Sequence, residues 1–224
     1  MSTILFDPIK TQAKITDSVI VAFSGGKESV IVLDLCYRYF EHVQPFFMYI
    51  VPDLSFEERT LQYYEKKYNT EIIRIPHNVA SVWMHYGFYR DYDPYFPIVC
   101  SNDIYNYIRV KTDIEWAAAG ERIADSIWRR AFIKKSGSID PVRRRFYPLS
   151  GWTKKDVMDY IKYHHLYLGE DSKKLGFSFR SLNGDELVVI KEHFPQDYEK
   201  IERLYPFVGA NVKRYEENLK HGKK

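Results

Sequence analysis

Two clusters in this chain combine residue types and spacings that can hold an anion. The first is Ser24-Gly25-Gly26-Lys27-Glu28-Ser29, which follows the apolar run Val19-Ile20-Val21-Ala22-Phe23. Such a run reads as a buried strand. The two glycines open a turn that other residues resist, and apolar residues at helical spacing resume at Val30, Ile31, Leu33, Leu35 and Cys36. In a strand–glycine turn–helix unit the backbone N–H groups converge where the helix begins, which makes a donor cradle for phosphate. Lys27 adds a cation, and Ser24 and Ser29 add hydroxyls. The second cluster, Gly120-Glu121-Arg122-Ile123-Ala124-Asp125-Ser126-Ile127-Trp128-Arg129, follows another apolar stretch, Ile114 to Ala119. Guanidinium groups grip phosphate or sulfate oxygens in a bidentate fork. Asp125 can order one of those arginines or ligate Mg²⁺ beside phosphates.

Elements that would position these clusters are legible between them. Strands are expected at Ser18–Phe23, Gln44–Val51 and Glu71–Ile75, and helices at Lys27–Phe40 and Phe56–Tyr68, the latter capped by Ser55. Strand, helix, strand, helix, strand within about sixty residues indicates an α/β fold with a doubly wound, mainly parallel sheet. Ligands of such sheets sit beyond the carboxyl ends of the strands. Residues 23–29, 51–54 and 76–77 would then share one rim. Residues 78–103, rich in Tyr, Phe and Pro, read either as a packed aromatic loop or as a substrate lid. A helix starts at Asn102-Asp103, and Thr153 with Asp156 forms a capping box for another. Residues 185–219 read as helical, and 220–224 as a disordered tail. The division expected is a nucleotide-binding α/β domain over 1–165 and a helical extension over 166–224.

Two phosphate loops are excluded. A Walker A loop needs glycine where Val21 stands, and a dinucleotide-binding G-x-G-x-x-G loop needs a further glycine after Gly26. What Ser24–Ser29 resembles is the SGGxDS loop of the PP-loop ATP pyrophosphatases (adenine nucleotide alpha hydrolase-like), with Glu28 at the usual Asp. Residues 120–129 resemble the GxRxxES-x-x-R segment of the branch that includes phosphoadenylylsulfate (PAPS) reductases and ATP sulfurylase small subunits. Pro148-Leu149 through Trp152, Asp156, Val157, Tyr160 and Ile161 resemble that branch's P-L-x-x-W-x-x-x-D-V-x-x-Y-I element. The three motifs lie in order across residues 17–165.

The resemblance implies an adenine nucleotide such as ATP, with Mg²⁺. Its phosphates would be held by Ser24, Gly25, Gly26, Lys27, Glu28 and Ser29, its base would lie against the backbone of Ile50 and Val51, and Lys27, Arg122 and Arg129 would act in catalysis. Family members cleave ATP between the α- and β-phosphates and adenylylate an acceptor, and that is the reading expected here, with the acceptor unidentified. One alternative is a reductase of PAPS or adenylylsulfate, which needs a thiolate. The family's C-terminal cysteine is lacking, Cys36 falls on a buried stripe, and Cys100 is the remaining thiol. A second alternative is a non-catalytic nucleotide sensor or partner subunit.

Composition narrows the rest. With 45% hydrophobic and 28% charged residues the 224-residue chain can bury a substantial core. No apolar run is long enough for a membrane span, and residues 1–14 lack a signal core, so a cytoplasmic protein is expected. Two cysteines without a Cys-x-x-Cys pair point away from an iron–sulfur cluster or zinc. His164-His165 read as structural or surface residues, since neighbours on a helix face apart. Residues 106–155 hold twelve Lys/Arg against five Asp/Glu, a band of +7 in a chain of net +3. That band suggests an anionic ligand and a possible nucleic-acid or protein partner; an oligomer is also open.

Overall fold

The computed structural model describes residues 3–222. After a short 3-10 turn at Thr3–Phe6, the chain runs through α1 (Asp7–Gln12), β1 (Ser18–Ala22), α2 (Lys27–Tyr39), β2 (His42–Tyr49), α3 (Ser55–Tyr68) and β3 (Ile73–Pro76). Next come α4 (Asn78–Tyr86), α5 (Ser101–Thr112), β4 (Ala117–Ala118), α6 (Ile127–Ser136), β5 (Ile139–Asp140), β6 (Arg145–Phe146) and α7 (Lys154–Tyr163). Helices α8 (Glu170–Leu175), α9 (Gly184–His193), α10 (Pro195–Leu204) and α11 (Val208–Lys220) complete it. The sheet order is β3-β2-β1-β4-β6-β5, parallel except for the β5–β6 pair. The expected α/β class with a largely parallel sheet and a helical C-terminal region is what the chain forms.

Strand β1 is buried on both faces, which explains its unbroken apolar run. Val19 and Val21 enter the core shared with α1, α2 and α7, while Ile20 enters the one formed with Phe46, Ile104, Tyr105 and Ile108. Helix α2 is enclosed on most sides, and Cys36 within it is fully buried. Asp34, also in α2, is buried with three donors: Arg38 Nε at 2.7 Å, Tyr160 Oη at 2.7 Å and Tyr68 Oη at 2.8 Å. Burial works to raise that carboxyl's pKa. The bonds from Arg38, Tyr160 and Tyr68 outweigh burial and leave it lowered. The charge thus pins α2 to α3 and α7.

Several boundaries differ from the sequence reading. Strand β4 keeps only two of the six residues from Ile114 to Ala119, because the parallel registers with β1 and β6 engage only Ala117 and Ala118. Residues 78–86 form a helix rather than a loop, closed by Gly87 in the left-handed region (φ 71°). The aromatic residues beyond it do not form a packed loop. Phe88, Tyr92, Tyr95 and Phe96 are exposed, and Tyr89 alone turns inward onto Trp83 and Tyr205. Ser55 is not the cap of α3. It is the first helical residue, and Asp197 of α10 accepts hydrogen bonds from its backbone N (2.8 Å) and Oγ (2.6 Å). A carboxylate there also complements the positive end of the helix. Helix α11 continues to Lys220, so the expected disordered tail is helical at its start; residues 223–224 lie outside the described residues. The capping box of Thr153 and Asp156 forms as expected.

The C-terminal helices pack onto the far end of β2. Ile50, Val51, Leu54 and Phe56 share a core with Phe179, Leu182, Leu187, Ile190 and Tyr205. Among the described residues no helix is long and apolar enough to cross a membrane.

Candidate nucleotide site

Strand order explains why the two anion-binding clusters meet. The chain runs outward from β1 to β2 and β3, then returns to place β4 on the other side of β1. The loops leaving β1 and β4 therefore part at a topological switch point, where a crevice opens beyond the strand ends. The loops are close: a Cβ on Gly120 would sit 3.1 Å from Cβ of Glu28. A cavity of about 770 Å³ occupies the crevice, within the range typical of small-molecule sites.

The first wall is the Ser24–Ser29 loop. Gly25 holds φ 71°, a conformation that favours glycine, and its own Cβ position would lie 3.3 Å from Thr60 Cγ2, a tight contact. Ser24 Oγ donates to Ser29 Oγ (3.2 Å), which donates to the carbonyl of Gly26 (3.0 Å). The first intrahelical bond of α2 runs from Val30 N to that same carbonyl, and Gly26 supplies no side-chain cap. The amides of the first turn are thus left for a ligand. Lys27 Nζ reaches the carbonyl of Gly176 at 2.6 Å.

The opposite wall is held by Asp125. Its Oδ1 pairs with Arg122 Nη2 at 2.7 Å, and its Oδ2 accepts from Arg129 Nη1 (3.0 Å) and the Arg122 amide (2.9 Å). Both oxygens are committed to these partners, so the carboxylate orders both arginines. Arg122 Nη2 also pairs with Glu28 Oε1 at 3.0 Å, tying the two loops together. Arg122 is only 9% exposed, yet its Nε and Nη1 have no hydrogen-bond partner. Buried donors are rarely left so. Arg129 lines the same cavity with half of its side chain exposed.

All of Ser24, Gly26, Lys27, Glu28, Ser29, Ile50, Arg122, Asp125 and Arg129 line the cavity. Gly25 faces a smaller recess behind the loop, and Val51 is buried against the C-terminal helices instead of lining the main cavity. His77, already placed on the rim, is present too. Its Nδ1 accepts from Val79 N at 3.1 Å, and burial lowers its pKa. His164 is structural: it lies on Tyr160 and takes a hydrogen bond from Arg38 at 3.1 Å.

Sequence reasoning missed three contributors. Tyr105 of α5 forms part of the wall, with the Arg145 guanidinium 3.5 Å from its ring centre. Residues 176–180 form another part, and Ser178 Oγ would stand 3.0 Å from a Cβ on Gly26. Their approach depends on the C-terminal packing, which leaves no local pattern. The third is Glu57 in the first turn of α3, whose only local signal was its place just after a strand end. Its carboxyl is enclosed by protein, though the residue keeps some surface toward the cavity. Burial foremost, then the nearby Asp171, Glu58 and Asp197 carboxylates, push its pKa well above the usual range.

That shift has a testable sign. An unfolded Glu loses its proton near pH 4.3, whereas the folded chain keeps it to higher pH. Glu57 therefore costs stability as pH rises through the interval between the two. Glu57→Gln is expected to melt above the wild type by a margin that grows from pH 5 to pH 8. A margin independent of pH would count against it.

Comparison with known proteins follows the same lines. The family model for the phosphoadenosine phosphosulfate reductase domain matches residues 18–170, more than half of the chain. Among solved structures, the fold is similar to U34-tRNA thiolase NcsA from Methanococcus maripaludis with its [4Fe-4S] cluster, at TM-score 0.50 and 13% identity, covering 92% of this chain and 79% of that one. NH3-dependent NAD synthetase from Campylobacter jejuni subsp. jejuni NCTC 11168, in complex with the nitrate ion, matches at TM-score 0.46 and 16% identity, covering 98% and 94%. No curated protein matches the sequence.

The thiolase corrects one expectation. A protein of this fold carries a [4Fe-4S] cluster, so the missing Cys-x-x-Cys pair does not exclude a cluster as the sequence reading had it. In this chain, among the described residues, no three His, Cys, Asp or Glu side chains are grouped to hold a metal ion, with Cys36 buried in α2 and Cys100 exposed at the head of α5. These residues do not form a cluster site by themselves. From the match over residues 18–170, the three motifs in order and the sheet that carries them, the chain belongs to the phosphoadenosine phosphosulfate reductase domain family of the PP-loop superfamily.

Proposed function

We propose that this cavity binds ATP and that the chain cleaves it between the α- and β-phosphates, transferring AMP to an acceptor and releasing pyrophosphate. The observation that carries this reading is the pairing, across one cavity, of the open α2 N-terminus with buried Arg122, whose Nε and Nη1 have no protein partner. One phosphate would meet the amides of the Gly26–Ser29 turn and Lys27; another would meet Arg122 and Arg129. An acceptor oxygen attacks the α-phosphorus, the α–β bridging P–O bond breaks, and pyrophosphate leaves with its electrons. The acceptor's proton passes to solvent or to a cavity base.

Little covalent chemistry is asked of the protein. Its task is to position phosphates and stabilise developing charge with fixed donors. Mg²⁺ arriving with the nucleotide would neutralise phosphate oxygens, with Glu28 as the carboxylate next to the glycine loop. Residues 1–165 serve as the nucleotide-binding unit on this reading, and residues 166–224 as an extension that supplies the far wall.

A reductase needs a thiolate at the nucleotide, and neither cysteine lines the cavity. Burial also raises the pKa of the Cys36 thiol, which keeps it protonated. The test is calorimetry with ATP and with PAPS in the presence of Mg²⁺, together with a pyrophosphate-release assay. Saturable ATP binding and slow pyrophosphate release without added acceptor are expected. Absence of ATP binding would refute the reading; sulfite release from PAPS that is lost in Cys100→Ser would replace it with the reductase.

A further inference from the structure

We propose that the outer face of α6 binds a single-stranded nucleic acid and presents it to the cavity as the acceptor, an inference that rests on the adenylylating reading above. Helix α6 begins beside the cavity, with Ser126 Oγ accepting from Arg129 N at 3.1 Å and Arg129 itself on the cavity wall. Its inner side is anchored: Ile133 is buried, and Phe132 packs edge-on against Tyr147 at 5.2 Å. The outer side is otherwise composed. Ile127, Trp128, Ala131, Lys134 and Lys135 are all exposed, and spacings of three, four and seven residues put them on one stripe. Trp128 is 86% exposed and Ile127 82% exposed. The chain's other three tryptophans, Trp83, Trp116 and Trp152, are buried or partly so.

Charge decides what such a stripe would meet. Residues 126–139 contain four cations, Arg129, Arg130, Lys134 and Lys135, and no acidic residue. Among the described residues, Arg130, Lys134 and Lys135 make no ion pair, whereas Arg143 and Arg144 are taken up by Asp140 and Glu115. Unpaired cations favour a polyanion. An exposed indole among them favours one with flat, stackable faces, since every base can lie on an aromatic ring. A duplex hides those faces, so the strand must be single. Lys154 and Met158 of α7 also line the cavity, so the cationic surface continues from α6 into the site where the nucleotide would be attacked.

The full chain should be titrated into fluorescently labelled 12-nucleotide single strands, one DNA and one RNA, at about 50 mM salt, following anisotropy and tryptophan emission. Poly-glutamate of equal charge and the matching duplex serve as competitors. Expected are binding of single strands in preference to both competitors, weakening with salt, and quenching of emission. Trp128→Ala should lose the quench and at least fivefold in affinity, and Lys134→Ala/Lys135→Ala at least fivefold with a shallower salt dependence. No binding, equal competition by poly-glutamate, or wild-type affinity in both variants would overturn the proposal. So would a wild type that runs as a dimer and a Trp128→Ala chain that runs as a monomer, because a second copy would then cover the face. Wild-type ATP binding measured in the same buffer separates the two readings: strand binding without ATP binding sinks the nucleotide site and leaves the surface.

Discussion

Arg122→Ala is expected to weaken ATP binding by about a hundredfold, equivalent to about 2.8 kcal/mol. Three losses act together. The guanidinium Nε and Nη1, which have no protein partner, vanish with the side chain. Glu28 and Asp125 lose the cation between them and turn their charge on the phosphates. Arg129 also loses its neighbour in the order imposed by Asp125. Truncating one member of a buried charge pair at a binding site typically costs about 2–5 kcal/mol, so the expected effect falls inside that range. Arg122→Lys should recover only part, since an ammonium cannot reproduce the fork. Arg129→Ala should cost less, because its side chain is half exposed and screened. Calorimetry with ATP and Mg²⁺ measures all three. Thermal melting of each variant separates a lost site from a lost fold: wild-type affinity in a folded Arg122→Ala chain would remove the second wall from the site.

Lys27→Ala is expected to weaken ATP binding by at least tenfold. A charge-assisted contact to phosphate contributes roughly 1.5–3 kcal/mol. The ligand-free chain holds this ammonium on the Gly176 carbonyl at 2.6 Å, a bond that must break before Lys27 can turn to a phosphate. The measured loss therefore reports the phosphate contact minus that bond, which is why it should be smaller than that of Arg122. A consequence can be checked separately. If nucleotide draws Lys27 away, amides around residues 176–180 should exchange hydrogen faster with ATP bound unless Ser178 or Arg180 take up contacts of their own. Lys27→Ala with full affinity would leave the backbone amides as the loop's sole contribution.

Local features are legible in the amino-acid sequence. Val19–Phe23, then two glycines and a helical apolar pattern, reads as a strand, a turn and a helix, and the spacing of Arg122, Asp125 and Arg129 keeps the three on one short stretch of chain. The order of strands and helices likewise announced the parallel sheet, because period and punctuation are written within ten residues or so. Boundaries were less legible. Ile114–Ala119 reads as six strand residues, but pairing depends on partners β1 and β6, and these engage two.

Contacts between residues far apart in the chain are settled by the fold alone. Asp197 caps α3 in place of Ser55 from 142 residues away. The same C-terminal packing brings residues 176–180 onto the glycine loop and buries Val51, whose backbone the resemblance sets against the base. By sequence Glu57 is an ordinary first-turn acid; its raised pKa arises from enclosure, from Asp171 and Asp197 on two distant helices, and from the adjacent Glu58. The unpartnered donors of Arg122 are of this kind too. No spacing can say that a guanidinium has been buried with its Nε and Nη1 unused, since that requires knowing every atom that comes near them and finding none to accept.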